Sequence, residues 1–231
     1  AGGIALNCTA NGFLKRAYPN ANFFIQPAAG DAGAALGAAF SLMYLEDDLN
    51  KKAKVNRDNQ TFNPYLGPAY SKNDISDAIF RHSEFSNLDV KYIESNDNLI
   101  LETSRFLNSG LVIGWFQGRH EFGPRALGNR SILANPLIED MQTHINNKIK
   151  FRESFRPFAP SLLEEESKKF FEGSPDLYML STLFLKKKFR EKGFLSKKYK
   201  FLSASEKLKY KRSILNPIIH VDGSSRCQVV D

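Results

Sequence analysis

A 19-residue stretch, GRHEFGPRALGNRSILANP at residues 118–136, constrains the fold more than any other part of the sequence. Its three glycines and Pro124 interrupt it too often for a single helix, so it predicts an irregular loop. The loop carries Arg119, Arg125 and Arg130. Arginine binds phosphate and carboxylate oxygens through parallel N–H donors, and glycine lets a backbone approach a ligand closely. The stretch indicates an anion site, although arginines that brace a loop against carboxylates would show the same spacing.

Basic residues outnumber acidic ones beyond this stretch as well. Seven basic residues lie between positions 119 and 156, against four acidic residues that could neutralise them. Lys148 and Arg152 belong to this run. Arg226 follows Ser224 and Ser225 much later in the chain, and spacing alone does not connect it with the loop. By themselves these residues indicate an anion-binding α/β protein of two unequal parts.

The net charge of +7 arises from one segment. Residues 181–212 carry twelve Lys and Arg against two Glu, so the rest of the chain is slightly acidic. Such a run is more typical of a solvated surface insertion than of a binding face. Binding of RNA or another anionic partner through this segment stays the less favoured alternative.

Composition excludes several classes of protein. A hydrophobic content of 42% suffices for a packed core. No apolar run reaches the roughly 20 residues that span a bilayer, and no signal peptide is recognisable. Cys8 and Cys227 have neither zinc nor disulfide spacing, so we expect free thiols and a cytoplasmic protein.

The first 50 residues predict two strands and a helix. GGIALN and NFFIQP are short apolar runs typical of strands, and the periodicity of residues 28–49 predicts a closely packed helix. Asp31 precedes this helix. It can be the N-cap, or a carboxylate that the glycine-rich turn exposes to a metal or nucleotide.

The rest of the chain predicts an alternation of helices and strands after a linker. The linker covers residues 49–70, which are polar and rich in turns. Predicted helices start at Ser71, with Asp74 and a face that ends at His82, and then cover 98–109, the residues after Pro136, and 162–172. Predicted strands are LVIGWF and two short runs within NPIIHVDGSSRCQVV.

The four histidines have no ligand spacing among themselves. We therefore expect His82, His120, His144 and His220 to be surface residues or to be satisfied structurally. The sequence contains neither a P-loop nor a G-x-G-x-x-G motif, and it suggests no nucleophile–histidine–carboxylate set.

The arginine stretch, followed by KIKFRESFRPFAPSLLEEE and HVDGSSRCQVV, resembles the O-carbamoyltransferases that modify nodulation factors and antibiotics. The segments GGIALNCTANG and IQPAAGDAGAALGAA resemble the preceding domain of the same family. The resemblance implies that residues 1–48 are the tail of an ATPase-like domain of the actin/hexokinase type. It also implies that residues 71–231 are most of a YrdC-like α/β domain, and that the chain lacks parts of the family pattern at both ends, including the upstream histidine metal ligands.

The resemblance further implies an activity. Enzymes of this family combine carbamoyl phosphate with ATP to form carbamoyl-adenylate, and then transfer the carbamoyl group to an acceptor hydroxyl at a metal site that often holds iron. The acceptor itself is not identifiable from the sequence. Two alternatives are a relative that carbamoylates or binds tRNA, and a non-catalytic anion-binding fragment.

Matching the family motifs residue by residue assigns a role to each candidate. The residues expected to hold the phosphates are Arg119, Arg125, Arg130, Lys148, Arg152, Ser224 and Arg226. Gly2, Gly3 and Asn7 match the turn that contacts adenosine, and Asp31 matches the metal-binding aspartate.

Overall fold

A computed structural model describes residues 2–50, 63–81, 89–173 and 176–230. The helices in these ranges are α1 (Gly2–Ala5), α2 (Cys8–Ala17), α3 (Ala32–Asn50), α4 (Lys72–Arg81), α5 (Asn96–Asn108), α6 (Met141–Lys148), α7 (Glu164–Phe170), α8 (Lys197–Lys200) and α9 (Ala204–Lys209). The strands are β1 (Ile113–Phe116), β2 (Arg130–Leu133), β3 (Ser161–Leu163), β4 (Phe171–Glu172), β5 (Leu183–Leu185), β6 (Ser224–Ser225) and β7 (Gln228–Val230). Lys187–Phe189 and Asn216–Ile218 form short 3-10 helices.

The strands form small separate sheets, which makes the fold a mixed α/β one. Strands β1 and β2 pair antiparallel, with Phe116 opposite Arg130. The arginine stretch is the loop that connects them. Strand β3 pairs parallel with β7, and β5 lies between β4 and β6 in an antiparallel sheet.

The main core contradicts the prediction that residues 181–212 are a solvated insertion. The core consists of Phe171, Leu183, Leu185, Phe194, Tyr199, Ile218, Ile219 and Cys227, and half of these belong to the basic segment. Net charge concealed this because the apolar residues of the segment alternate with lysines, which stay at the surface. Arg190, which is also part of this segment, donates through Nε to the Leu185 carbonyl at 2.7 Å.

The structure corrects the prediction for the N-terminal segment. GGIALN forms the helix α1 and not a strand, and NFFIQP has no strand partner among the described residues. Short apolar runs next to glycine fit a helix or a strand equally well, so periodicity could not decide between them. Helix α3 is confirmed, but Phe40, Met43 and most of its other described side chains are exposed, so the close packing expected for it is not observed there.

Where capping signals were available, the predicted helices are confirmed. Ser71 Oγ and the Asp74 carboxylate are 2.7 Å apart at the start of α4, and α5 ends before Gly110, whose φ is 89°. His82 lies outside the described residues. The helix expected from Pro136 begins only at Met141, and the one expected at 162 begins after β3. Two strands were expected within NPIIHVDGSSRCQVV. In place of the first, the structure has the 3-10 helix and the two-residue strand β6; the second is β7.

Helix α2 is fixed against the start of β5, far away in sequence. Asn11 Nδ2 donates to the Leu180 carbonyl at 2.8 Å, and the Lys15 ammonium lies 3.4 Å from the Asp176 carboxylate. The helix approaches this closely because Gly12 has no side chain: a Cβ there would lie 2.5 Å from Thr182 Oγ1 and 2.9 Å from the Thr182 backbone nitrogen.

We expect Gly12→Ala to destabilise the protein by about 1–3 kcal/mol, because the methyl group would push α2 away from Thr182. Gly37→Ala in α3 is the matched control, since nothing lies within 4 Å of its Cβ position, and it should stabilise by up to about 1 kcal/mol. Urea unfolding of both variants measures the difference. Equal effects of the two substitutions would show that α2 does not need this close approach.

Candidate functional site

The loop between β1 and β2 is organised around the carboxylate of Glu121. Its Oε1 accepts hydrogen bonds from the backbone nitrogens of Leu127, Asn129 and Arg130 at 2.8, 2.9 and 3.2 Å. Burial alone would raise the pKa of Glu121, but these backbone donors outweigh it and the pKa is lowered. Gly128, with a φ of 102°, supplies the left-handed conformation that the turn requires. A single buried carboxylate thus fixes a segment too irregular to form a helix or a strand.

The last residues of the predicted linker pack against this loop. The Phe122 nitrogen donates to the Pro64 carbonyl at 2.6 Å, and the Gly67 nitrogen donates to the His120 carbonyl at 2.9 Å. Arg119 joins the same contact, because its Nη2 donates to the Leu66 carbonyl at 2.9 Å. Residues 51–62 of the predicted linker lie outside the described ranges.

Arg130 is also braced by backbone carbonyls. Its Nη1 donates to the carbonyls of Gln117 and Asn129 at 2.7 and 2.8 Å, and its Cζ lies 3.4 Å from the centroid of the Phe116 ring. Arg119 and Arg130 therefore hold the loop in shape, with carbonyl oxygens in the place of the expected carboxylates. We call these two residues the outer arginines.

A second group, the inner arginines, consists of Arg125, Arg152 and Arg226. Arg125 Nη2 donates to the Leu6 carbonyl at 3.2 Å, and Cys8 lies close enough to Arg226 to influence the pKa of its guanidinium. Burial, followed by the positive charge of Arg125, lowers the pKa of Arg226; Cys8 opposes this and Arg152 adds to it. Within the described ranges no carboxylate forms a salt bridge with any of the three guanidiniums.

Arg152 is oriented by a buried amide. Its Nε donates to Asn146 Oδ1 at 2.6 Å, and its Cζ lies 4.9 Å from the centre of the Phe158 ring. Asn146 is fully buried and donates in turn to the carbonyls of Ser154 and Arg156 at 3.0 and 2.9 Å. Burial and the charge of Arg156 lower the pKa of Arg152.

Lys148 and Ser224, which were both expected at the phosphate site, have other surroundings in the structure. Lys148 is the last residue of α6, its side chain is exposed, and no contact in the described ranges joins it to the inner arginines. Ser224 is fully buried, donates its hydroxyl to Asp222 Oδ1 at 2.7 Å, and lies 3.2 Å from His220 Nδ1.

The residues matched to the adenosine turn lie at the opposite end of the chain. Above Gly2 and Gly3 the space is open, since a Cβ on either would meet nothing within 4 Å. Asn7 is the N-cap of α2, and its Oδ1 accepts from the Ala10 nitrogen at 3.1 Å.

Asp31 is exposed at the start of α3. Across the described part of the chain, no three His, Cys, Asp or Glu side chains come together as metal ligands. An iron site needs several such ligands, so these residues do not form one by themselves.

Family comparisons match both ends of the chain. The model described as Carbamoyltransferase C-terminus matches residues 104–231, and that described as Carbamoyltransferase N-terminus matches residues 1–40. The chain belongs to the carbamoyltransferase family. The two matched regions meet at the inner arginines, because Leu6 and Cys8 come from the first region and the arginines from the second.

Curated relatives agree with this assignment. An "Uncharacterized protein" of Synechocystis sp. is 43% identical over all of this chain and 36% of its own length. Nodulation protein NolNO of Sinorhizobium fredii is 39% identical over all of this chain and 30% of its own length. The 3'-hydroxymethylcephem-O-carbamoyltransferase of Streptomyces clavuligerus is 30% identical over 99% of this chain and 36% of its own length. The chain thus spans about a third of the length of these relatives.

The alignments cover residues 181–212 too, which agrees with the place of this segment in the core. None of the helices in the described ranges has both the length and the apolar character needed to cross a membrane.

Sequence reasoning missed Glu121 and Asn146 as organisers of the site. One feature of the sequence could have indicated the role of Glu121: it is the only acidic residue in the stretch that carries the loop's three arginines. Asn146 had none, because a buried asparagine within an amphipathic helix looks like any other polar position.

We expect Glu121→Gln to destabilise the protein by about 1–2 kcal/mol at pH 7, because a neutral amide accepts the backbone N–H groups more weakly than a carboxylate. The folded pKa of Glu121 lies below its ordinary value of 4.5. Its contribution is therefore complete above that pH and is lost as pH falls through the lower, folded pKa. The gap between wild type and Glu121→Gln should close in urea unfolding as pH is lowered.

Glu139→Gln is the control, because Glu139 is exposed and has no hydrogen bond among the described residues. A gap that persists unchanged at low pH would contradict the role given to the Glu121 charge.

Proposed function

We propose that the inner arginines bind the phosphate of carbamoyl phosphate in an ATP-dependent O-carbamoyltransferase. One observation carries the proposal: Arg125 and Arg226 each have a buried Nε without a hydrogen-bond partner among the described residues. They also lie close enough for the charge of one to lower the pKa of the other. Arg125 and Arg226 are half-buried, and neither forms a salt bridge with a described carboxylate. Two neighbouring cations of this kind repel each other and are unfavourable unless an anion joins them.

Arg212 shows how a structural arginine differs from these two. Its Nε is also buried without a partner, but both of its terminal nitrogens are used internally. They donate to the carbonyl oxygens of Lys207, Leu208, Tyr210 and Asn216. Among the described residues, the Arg125 guanidinium donates only to the Leu6 carbonyl, and Cys8 is the group whose interaction with Arg226 favours its charged form. These two guanidiniums therefore keep donors available for a ligand.

The inner arginines suit the chemistry of carbamoyl transfer. Carbamoyl phosphate and ATP are both polyanions, so their approach is unfavourable unless fixed cations offset the repulsion. Guanidiniums that are already oriented by Leu6 and Asn146 hold the phosphate without reorganising as charge develops. In this proposal water cleaves carbamoyl phosphate into carbamate and inorganic phosphate. A carbamate oxygen then attacks the α-phosphorus of ATP, which releases pyrophosphate and forms carbamoyl-adenylate. The acceptor hydroxyl finally takes the carbamoyl group, and AMP leaves.

The proposal assigns the domains as the family resemblance does. Residues 1–48 belong to an ATPase-like domain and residues 71–231 to a YrdC-like domain. Gly2 and Gly3 leave the open surface that an approaching adenosine would need. Asp31 would contribute one ligand to a metal.

We expect phosphate or carbamoyl phosphate at about 100 times its Kd to raise the Tm of the protein by about 5–10 °C. Arg226→Met should bind either ligand about 10–100-fold more weakly, because a charge-assisted contact is lost. Its Tm without ligand should stay level or rise, since the repulsion is relieved. Differential scanning calorimetry and isothermal titration calorimetry measure both quantities.

Arg81→Met is the matched control, because Arg81 is exposed and its Nη2 lies 3.4 Å from the Asp77 carboxylate, away from the inner arginines. It should change neither ligand affinity nor Tm appreciably. Equal losses of affinity in the two variants, or no ligand-induced rise in wild type, would contradict the proposal. In the intact gene product, Arg226→Met should also abolish the stimulation of pyrophosphate release by carbamoyl phosphate.

A further inference from the structure

His220 and Ser224 are joined across the turn that precedes β6. The His220 nitrogen donates to the Ser224 carbonyl at 2.8 Å, and the Gly223 nitrogen donates back to the His220 carbonyl at 3.0 Å. The Ser224 nitrogen and hydroxyl both donate to Asp222 Oδ1, at 2.9 and 2.7 Å. The position of the imidazole relative to the serine is therefore fixed by several bonds and not by a single contact.

This network determines where the imidazole carries its hydrogen. A serine hydroxyl has one hydrogen, and an ionised carboxylate can only accept, so that hydrogen points to Asp222. The Ser224 oxygen must then accept at its 3.2 Å contact with His220 Nδ1. Nδ1 carries the hydrogen, and in the neutral ring Nε2 is an acceptor. Nε2 of His220 has no hydrogen-bond partner among the described residues.

The charges around His220 favour the neutral ring. Burial lowers the pKa of His220, and the positive charges of Arg226 and Arg212 lower it further. Asp222 opposes them without reversing the direction. At pH 7 the imidazole is therefore neutral. The backbone bond from His220 to Ser224 also pairs this residue with β6 (Ser224–Ser225), which the inner arginine Arg226 follows directly, so His220 and Arg226 are neighbours in the fold.

The inner arginines cannot accept a hydrogen bond from a ligand, whereas the neutral His220 ring can. Guanidinium groups have five donors and no acceptor. Carbamoyl phosphate has phosphate oxygens, which accept, and an amide NH₂ group, which only donates. A site lined by arginines alone would leave those N–H groups unpaired, which is costly in a desolvated site.

We infer that His220 is a specificity-determining residue whose Nε2 accepts a hydrogen bond from the carbamoyl NH₂ group, with Ser224 and Asp222 holding the ring in place. The inference rests on the proposed function, because it needs a carbamoyl phosphate at the inner arginines. It also changes the part expected of Ser224, which acts through the histidine and does not contact the phosphate.

Acetyl phosphate provides the test, because it carries a methyl group where carbamoyl phosphate carries NH₂. Wild-type protein should bind carbamoyl phosphate on the order of tenfold more tightly than acetyl phosphate, because this ratio corresponds to the free energy of about one hydrogen bond. His220→Leu should lose this preference while binding inorganic phosphate as wild type does. His220→Gln, whose side-chain oxygen can replace Nε2, should restore most of it.

Isothermal titration of the three ligands against the three proteins separates the outcomes. A preference that survives in His220→Leu would overturn the inference. So would a common loss of phosphate binding in both variants, since that pattern belongs to a purely structural histidine. If the wild-type protein binds none of the three anions, the proposed function itself is wrong. If it binds all three equally, the proposed function is retained and the specificity role of His220 is wrong.

Discussion

The candidate site depends on the hydrogen bonds that the buried carboxylate of Glu121 accepts. By accepting three backbone N–H groups it fixes residues 127–130, and with them the start of β2. The Leu127 carbonyl is then available to the Tyr65 hydroxyl at 3.0 Å and to Gln228 Nε2 at 2.8 Å. This carboxylate thus connects the arginine loop with the segment before α4 and with the last strand, through bonds that involve no guanidinium.

The site is also assembled from distant parts of the chain. Arg125 meets Leu6, 119 residues earlier, and this contact exists because α2 is fixed beside Leu180 by Asn11 and by the absence of a side chain at Gly12. Long-range contacts of this kind cost loop-closure entropy that a local motif does not. The packing of α2 therefore stabilises a cluster of like charges that would otherwise separate.

Sequence reasoning succeeded where structure is local. The helix after Ser71 and the helix that ends at Gly110 were predictable because their caps lie within a few residues of their ends. The residue types of the loop predict an anion site, and that stays a prediction. The division into outer and inner arginines was not, because the partners that decide it are carbonyl oxygens of distant residues, such as Leu66 and Leu6, and every residue has such an oxygen. Total charge likewise could not reveal that the basic segment supplies Leu183 and Leu185 to the core.

The arginines of the loop are oriented by backbone carbonyl oxygens and not by carboxylates, and this affects the charge of the loop. A carboxylate that orients an arginine also cancels its charge, whereas a carbonyl dipole orients the guanidinium and leaves the charge in place. Arg119, Arg125 and Arg130 are all held by carbonyls, and Glu121, the acidic residue nearest to them in sequence, has one oxygen turned to backbone N–H groups. The loop is therefore rigid and still strongly positive. That combination favours a dianion over a neutral ligand. Under the proposed function, recognition of the uncharged carbamoyl end would then fall to a neutral acceptor such as His220.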